Sequence, residues 1–189
     1  DAEHDDAIEN LHRLATHGVH LLDIAERLEP IYQRREAHES LDTLWQLKLS
    51  GLDDALDRQS TMQQLADLHL HQLDSKPDAI YWLGEAFRIS PEDDGILGNL
   101  EPLVAETEQH VAFLEILLDA AGACDDALRQ VDLWLRAAAV CRDAIGEIDQ
   151  AETIFRMVLD TDDENVSALK ALDAIYVAAG RLEELEPIL

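Results

Sequence analysis

Eight histidines and forty-one acidic side chains give this chain an ample supply of metal ligands and of general acids and bases. Glu9 and His12 have the Glu-x-x-His spacing of helical di-iron sites, in which residues three apart share one helix face. Such a site needs a second Glu-x-x-His and two further acids, and no second copy exists, so an exposed helix face is the better reading. His17 with His20 and His69 with His71 are the other candidate metal pairs. On a helix, the i, i+2 spacing turns His69 and His71 to different faces, which argues against a shared ion. Asp160-Thr161-Asp162-Asp163-Glu164 opens like a calcium loop. Its sixth position is Asn165 where a glycine is needed, and its twelfth is Ala171 where a bidentate glutamate is needed, so helix capping is expected there. No phosphate loop, serine-nucleophile or zinc-protease signature occurs, and the many carboxylates single out no acid–base pair. The sequence thus predicts no catalytic residue, no metal site, no cofactor and no enzyme.

The charge narrows the partners. Forty-one acids against fourteen bases give a net charge of −27, with Lys48, Lys76 and Lys170 the only lysines. Such a surface repels phosphate, which disfavours nucleic acid and anionic membrane. The one basic doublet, Arg34-Arg35, is too short to reverse that. A basic protein or peptide is the complementary partner; the plainer alternative is a solvated, aggregation-resistant surface. No apolar run is long enough to span a membrane, and no signal peptide is visible. The chain starts at Asp1 and stops at Leu189 within an apolar pattern, so a piece of a longer or processed protein is expected. Cys124 and Cys141 form no Cys-x-x-Cys pair, and a reducing, cytoplasmic compartment is the default. Trp45, Trp82 and Trp134 read as core residues.

The elements that carry these residues repeat. Arg27-Leu-Glu-Pro-Ile-Tyr32 is followed 72 residues later by Asn99-Leu-Glu-Pro-Leu-Val104, and 72 later again by Ala171-Leu-Asp-Ala-Ile-Tyr176. At the same offset Asp6-Ala7-Ile8 meets Asp78-Ala79-Ile80, and Asp53-Asp54-Ala55-Leu56 meets Asp125-Asp126-Ala127-Leu128, without gaps. Fixed-period self-similarity marks stacked supersecondary units. Within a unit the apolar spacing is helical: Leu133, Ala137, Val140, Cys141 and Ala144 form one stripe, Ala151, Ile154, Phe155, Val158 and Leu159 a second, and Leu169, Leu172, Ile175, Tyr176 and Ala179 a third. The breaks hold Gly146 and Gly180, suited to left-handed helix ends. Ser90-Pro91-Glu92-Asp93 is expected to start a helix with Ser90 as cap and Pro91 in its first turn, and Asp162-Asp163-Glu164 to do the same without proline. Pro30 and Pro102 fall inside helices, so a kink or break is expected at both, with the third helix, carrying Ala174, straight. About eleven helices of roughly 10–18 residues should fill the chain, with no strands.

The stretch from Gly146 to Leu169 resembles a tetratricopeptide repeat. Gly146, Ala151, Phe155, Val158 and Asp163 fall at that repeat's marked positions; Leu169, Leu172, Tyr176, Gly180 and Leu185 continue in phase, and Ala79, Leu83, Ala86 and Pro91 repeat the series. The longer hairpins, including 20–50 and 92–122, match weakly. The resemblance implies an all-α, right-handed solenoid of antiparallel helix hairpins over 1–189, in units of about 1–44 (partial), 45–116 and 117–188. It further implies a protein–protein interaction scaffold whose concave groove takes a peptide or protein. The family's carboxylate-clamping positions align with Glu26, Pro30, Gly98, Pro102, Lys170 and Ala174, of which only Lys170 suits a clamp. Glu26, Gln33, Lys170 and Ala174 are the candidate partner-binding residues. A sensing or spacer arm of a larger enzyme or regulator is the alternative.

Overall fold

A computed structural model describes residues 2–18 and 20–181, with side chains from Asp5 onward. Among them are ten α-helices and no strand. These are α1 (Ala2–Thr16), α2 (Leu21–Arg34), α3 (His38–Gly51), α4 (Ala55–His71), α5 (Lys76–Ile89), α6 (Asp94–Thr107), α7 (His110–Ala123), α8 (Ala127–Val140), α9 (Ile148–Thr161) and α10 (Val166–Ala179). The expected eleventh helix and Leu185 lie outside the described residues. The chain forms two compact units, Asp1–Ile89 and Ser90–Leu189.

In the first unit each helix packs on the next in sequence, α1 on α2 through to α4 on α5, and α1 also touches α3. In the second, α6 through α10 pack successively in the same manner. An amphipathic helix can bury one stripe only against a neighbour, and short connections make that neighbour the next helix. Helix bounds recur at the 72-residue step: His38–Gly51 returns as His110–Ala123, Lys76–Ile89 as Ile148–Thr161, and Asp94–Thr107 as Val166–Ala179. Leu28, Leu100 and Leu172 are each fully buried, which is why the leucine of the repeated phrase does not vary.

The prolines do not break their helices. α2 and α6 run through Pro30 and Pro102 for fourteen residues each, the length of α10, where Ala174 stands in that slot. Both prolines are exposed, as are Glu26 and Gly98 four residues earlier. The residues whose carbonyls lose an N–H partner are therefore on the solvent side of their helices, where water can hydrate a freed carbonyl.

Two expected caps are replaced. Asp93, not Ser90, caps α6, its carboxylate accepting from the Gly95 and Ile96 amides at 2.9 and 3.2 Å; Ser90 and Pro91 precede it in a turn. Asn165, not the acidic run before it, caps α10 through the Ala168 amide at 3.1 Å. A carboxylate or carboxamide one bond beyond Cβ reaches two or three residues ahead and so wins the cap. The stripe expected through Ala144 also fails at its end. Cys141–Ile145 is a π-helical turn closed by Gly146 N–H to Cys141 O at 2.9 Å. The extra residue rotates the register, leaving Cys141 buried and Ala144 exposed.

Gly146 and Gly180 are left-handed as expected, with φ of 86° and 71°. Three non-glycines share their positions in the 72-residue register. Asp74 (φ 51°) precedes Gly146, and Glu36 (φ 53°) and Glu108 (φ 56°) precede Gly180. The backbone geometry is kept where the glycine is not. Of the tryptophans, Trp45 is buried, and Trp82 and Trp134 are half-buried.

Candidate interaction cleft

In the first unit, α2 turns Ile24, Ala25, Leu28 and Tyr32 inward, which leaves Leu22 and Glu26, one turn apart, on the outer face. In α4, Asp57, Thr61 and Gln64 fall at i, i+4 and i+7 along one face, with Ser60 beside them. These two faces, with Lys48 of α3 and Leu52 of the α3–α4 connection, enclose a cleft of about 320 Å³. An adjoining hollow of about 450 Å³ is lined by Gly18, His20, Leu21, Asp23, Ser50 and Gly51, and Leu22 is common to both. α3 comes close to α2 at Gly51, where a Cβ would lie 3.1 Å from Leu21 Cδ2 and 3.4 Å from Leu22 Cδ2, tight contacts that the leucine side chains would have to relax.

The cleft is lined by acidic and apolar side chains. Lys48 Nζ lies 3.3 Å from Glu29, both side chains largely shielded, so its charge is matched inside the protein. Glu26 and Asp57 then leave two formal negative charges beside Leu22 and Leu52. Because Pro30 lacks an N–H, the Glu26 carbonyl also has no i+4 helix donor. Chemically, the cleft can accept hydrogen bonds from a cation and cover a small apolar side chain; it aligns no nucleophile with a base.

Of the residues singled out from sequence, Glu26 lines the cleft. Gln33 is exposed two turns further along α2. Lys170 and Ala174 are exposed one turn apart on α10, in the second unit. Leu22, Lys48, Leu52, Asp57, Ser60, Thr61 and Gln64 escaped sequence reasoning. The i, i+4, i+7 polar face of α4 was the signal that could have found three of them.

Two of the histidines singled out from sequence, His69 and His12, have structural partners. His69 is buried and pairs Nε2 with Asp42 Oδ1 at 2.9 Å, tying α4 to α3, while Nδ1 lies 3.7 Å from Asp78 Oδ2 on α5 without a hydrogen bond. His12 Nδ1 lies 3.1 Å from the Tyr32 hydroxyl, joining α1 to α2. Burial pushes the Tyr32 hydroxyl above its ordinary value, against the pull of Arg35. Among the described residues no three His, Cys, Asp or Glu side chains converge as a metal site. None of the described helices is long and apolar enough to cross a membrane. No protein-family model matches the chain, and no curated protein matches it either.

Proposed function

We propose that the chain is a non-enzymatic interaction scaffold, a tetratricopeptide-like right-handed solenoid of helix hairpins, that binds a basic peptide or protein segment. Neighbour-on-neighbour helix packing in each unit and the recurrence of helix bounds at 72 residues support the architecture. The observation that carries the binding reading is the cleft between α2 and α4, where Glu26 and Asp57 stand beside Leu22 and Leu52. An arginine or lysine held there meets two carboxylates, and the −27 charge of the chain steers it in.

The test is fluorescence anisotropy with labelled decapeptides of alternating Arg and Leu, and of alternating Glu and Leu as control. The basic peptide should bind and weaken about tenfold between 50 and 500 mM NaCl, the effect expected of screened charge attraction. Glu26→Lys combined with Asp57→Lys should abolish binding. Salt-independent affinity, or equal binding of the acidic peptide, defeats the reading.

A further inference from the structure

The longest identical run in the 72-residue register is Asp53-Asp54-Ala55-Leu56 against Asp125-Asp126-Ala127-Leu128. The runs form the corner from α3 to α4 in the first unit and from α7 to α8 in the second, and the two corners are built alike. Just after α3, Leu52 is extended with φ −89° and ψ 123°, and just after α7, Cys124 is extended with φ −83° and ψ 125°. Asp54 caps α4, accepting from the Leu56 and Asp57 amides at 2.9 and 3.0 Å, and Asp126 caps α8 through the Leu128 amide at 2.9 Å. Four residues past each cap a side chain reaches back to the preceding helix. Arg58 Nη1 donates to Leu49 O at 3.2 Å, and Gln130 Nε2 donates to Ala121 O at 2.8 Å.

Those bonds explain the second aspartate and the fixed backbone, but not the leucine. Leu56 is 70% exposed and Leu128 83%, the two most exposed large apolar side chains among the described residues. A lone exposed leucine is ordinary. Two at one register position, each on a doubly fastened corner, are not explained by packing, and a lysine or glutamate would serve the first helical turn as well.

We propose that the two Asp-Asp-Ala-Leu corners are one recognition element presented twice, taken by a protein partner whose apolar pocket is flanked by arginine or lysine. The leucine fills the pocket, and Asp53 or Asp125, exposed beside it, meets the flanking base. Little conformational freedom is lost on docking, because cap and back-bond already hold the corner. The first corner borders the α2–α4 cleft, whose lining includes Leu52 and Asp57 on either side of it, whereas no residue of the second corner lines that cleft, so the result at position 128 tells the two readings apart.

The experiment places p-benzoylphenylalanine at position 56 or 128 of the full chain, with positions 14 and 177 as exposed apolar controls. After irradiation in lysate, the crosslinked peptides are sequenced. The same protein should be captured from 56 and 128 and not from the controls, through apolar residues with an arginine or lysine beside them. Leu56→Ser with Leu128→Ser should weaken binding of that purified protein tenfold or more and leave the melting temperature unchanged. The proposal is overturned by products no stronger than at the controls, by a second copy of this chain as the captured species, by contacts lacking basic neighbours, or by an affinity that the double variant leaves intact.

Discussion

Glu152 is a carboxylate taken almost out of water, its side chain 9% exposed on the inner face of α9. Arg181 donates Nη1 to Oε2 at 2.6 Å and Nη2 to Oε1 at 3.1 Å, and Arg156 Nη2 lies 2.8 Å from Oε1. The Tyr176 hydroxyl donates to Oε1 at 3.3 Å. The Arg181 hydrogen bonds above all, against the opposing pull of desolvation, hold the carboxyl below the ordinary glutamate value, with help from the two guanidinium charges and Tyr176. A group depressed in this way binds fewer protons folded than unfolded. Its stabilisation is therefore complete above the unfolded value and is lost as pH falls through the folded one. Glu152→Gln should cost about 1–2 kcal/mol at neutral pH, less than a fully buried pair because Arg156 is half exposed. Urea melts of both proteins from pH 7 to about pH 3 check this. The stability gap should be constant in the upper range and close below the usual carboxylate range; a gap that persists in acid rules out the ionic origin. Cys141 follows the same logic with opposite sign. Burial first, and then the charge of Glu147, push its thiol up, so it behaves as a small core residue.

At the scale of helices and their ends, backbone geometry recurs where residue type does not. Positions 36, 108 and 180 are all left-handed, yet the first two are glutamates and only the third is glycine. A side chain in that region crowds its own carbonyl and costs about 1 kcal/mol, whereas glycine adopts it freely. Glu108→Gly should therefore stabilise the protein by up to about 1 kcal/mol, and Gly146→Asp, which copies the residue at position 74, should destabilise it by a similar amount. Thermal melts of the two variants decide it, and a stabilising Gly146→Asp would show that local bonding outweighs strain. These ends also mark what the sequence could reveal. Gly146 and Gly180 announce themselves by type; Glu36, Glu108 and Asp74 do so only through their offset of 72 from a glycine. The helices were legible because leucines such as Leu28, Leu100 and Leu172 keep both period and phase. The caps at Asp93 and Asn165 and the π turn were not, because several nearby polar residues compete for one amide and a backbone bond that closes one residue wider leaves no compositional trace.

For the chain as a whole, the charge was plain from composition and the cleft was not. Leu22, Lys48 and Gln64 come from different helices, and only packing makes them neighbours. His69 was hidden for the same reason: the i, i+2 spacing argued correctly against an ion shared with His71, but its actual hydrogen-bond partner, Asp42, stands on another helix. The described bases are largely engaged in pairs such as Arg35–Asp5, Arg136–Glu101 and Arg142–Asp143. Fourteen bases can neutralise only a minority of forty-one acids, so repulsion among the remaining carboxylates works against the folded chain. Salt screens that repulsion over a Debye length of about 10 Å at 0.1 M and about 3 Å at 1 M. Added NaCl should therefore raise the melting temperature, by roughly 2–8 °C between low salt and 0.5 M if a stabilisation of about 1–2 kcal/mol is recovered. The exposed ion pairs, worth at most about 1 kcal/mol each, weaken over the same range and oppose the trend without reversing it. Calorimetry across a NaCl series at pH 7 makes the comparison. A melting temperature that falls with salt would mean that the pairs, and not the unpaired acids, dominate the electrostatic energy of the fold.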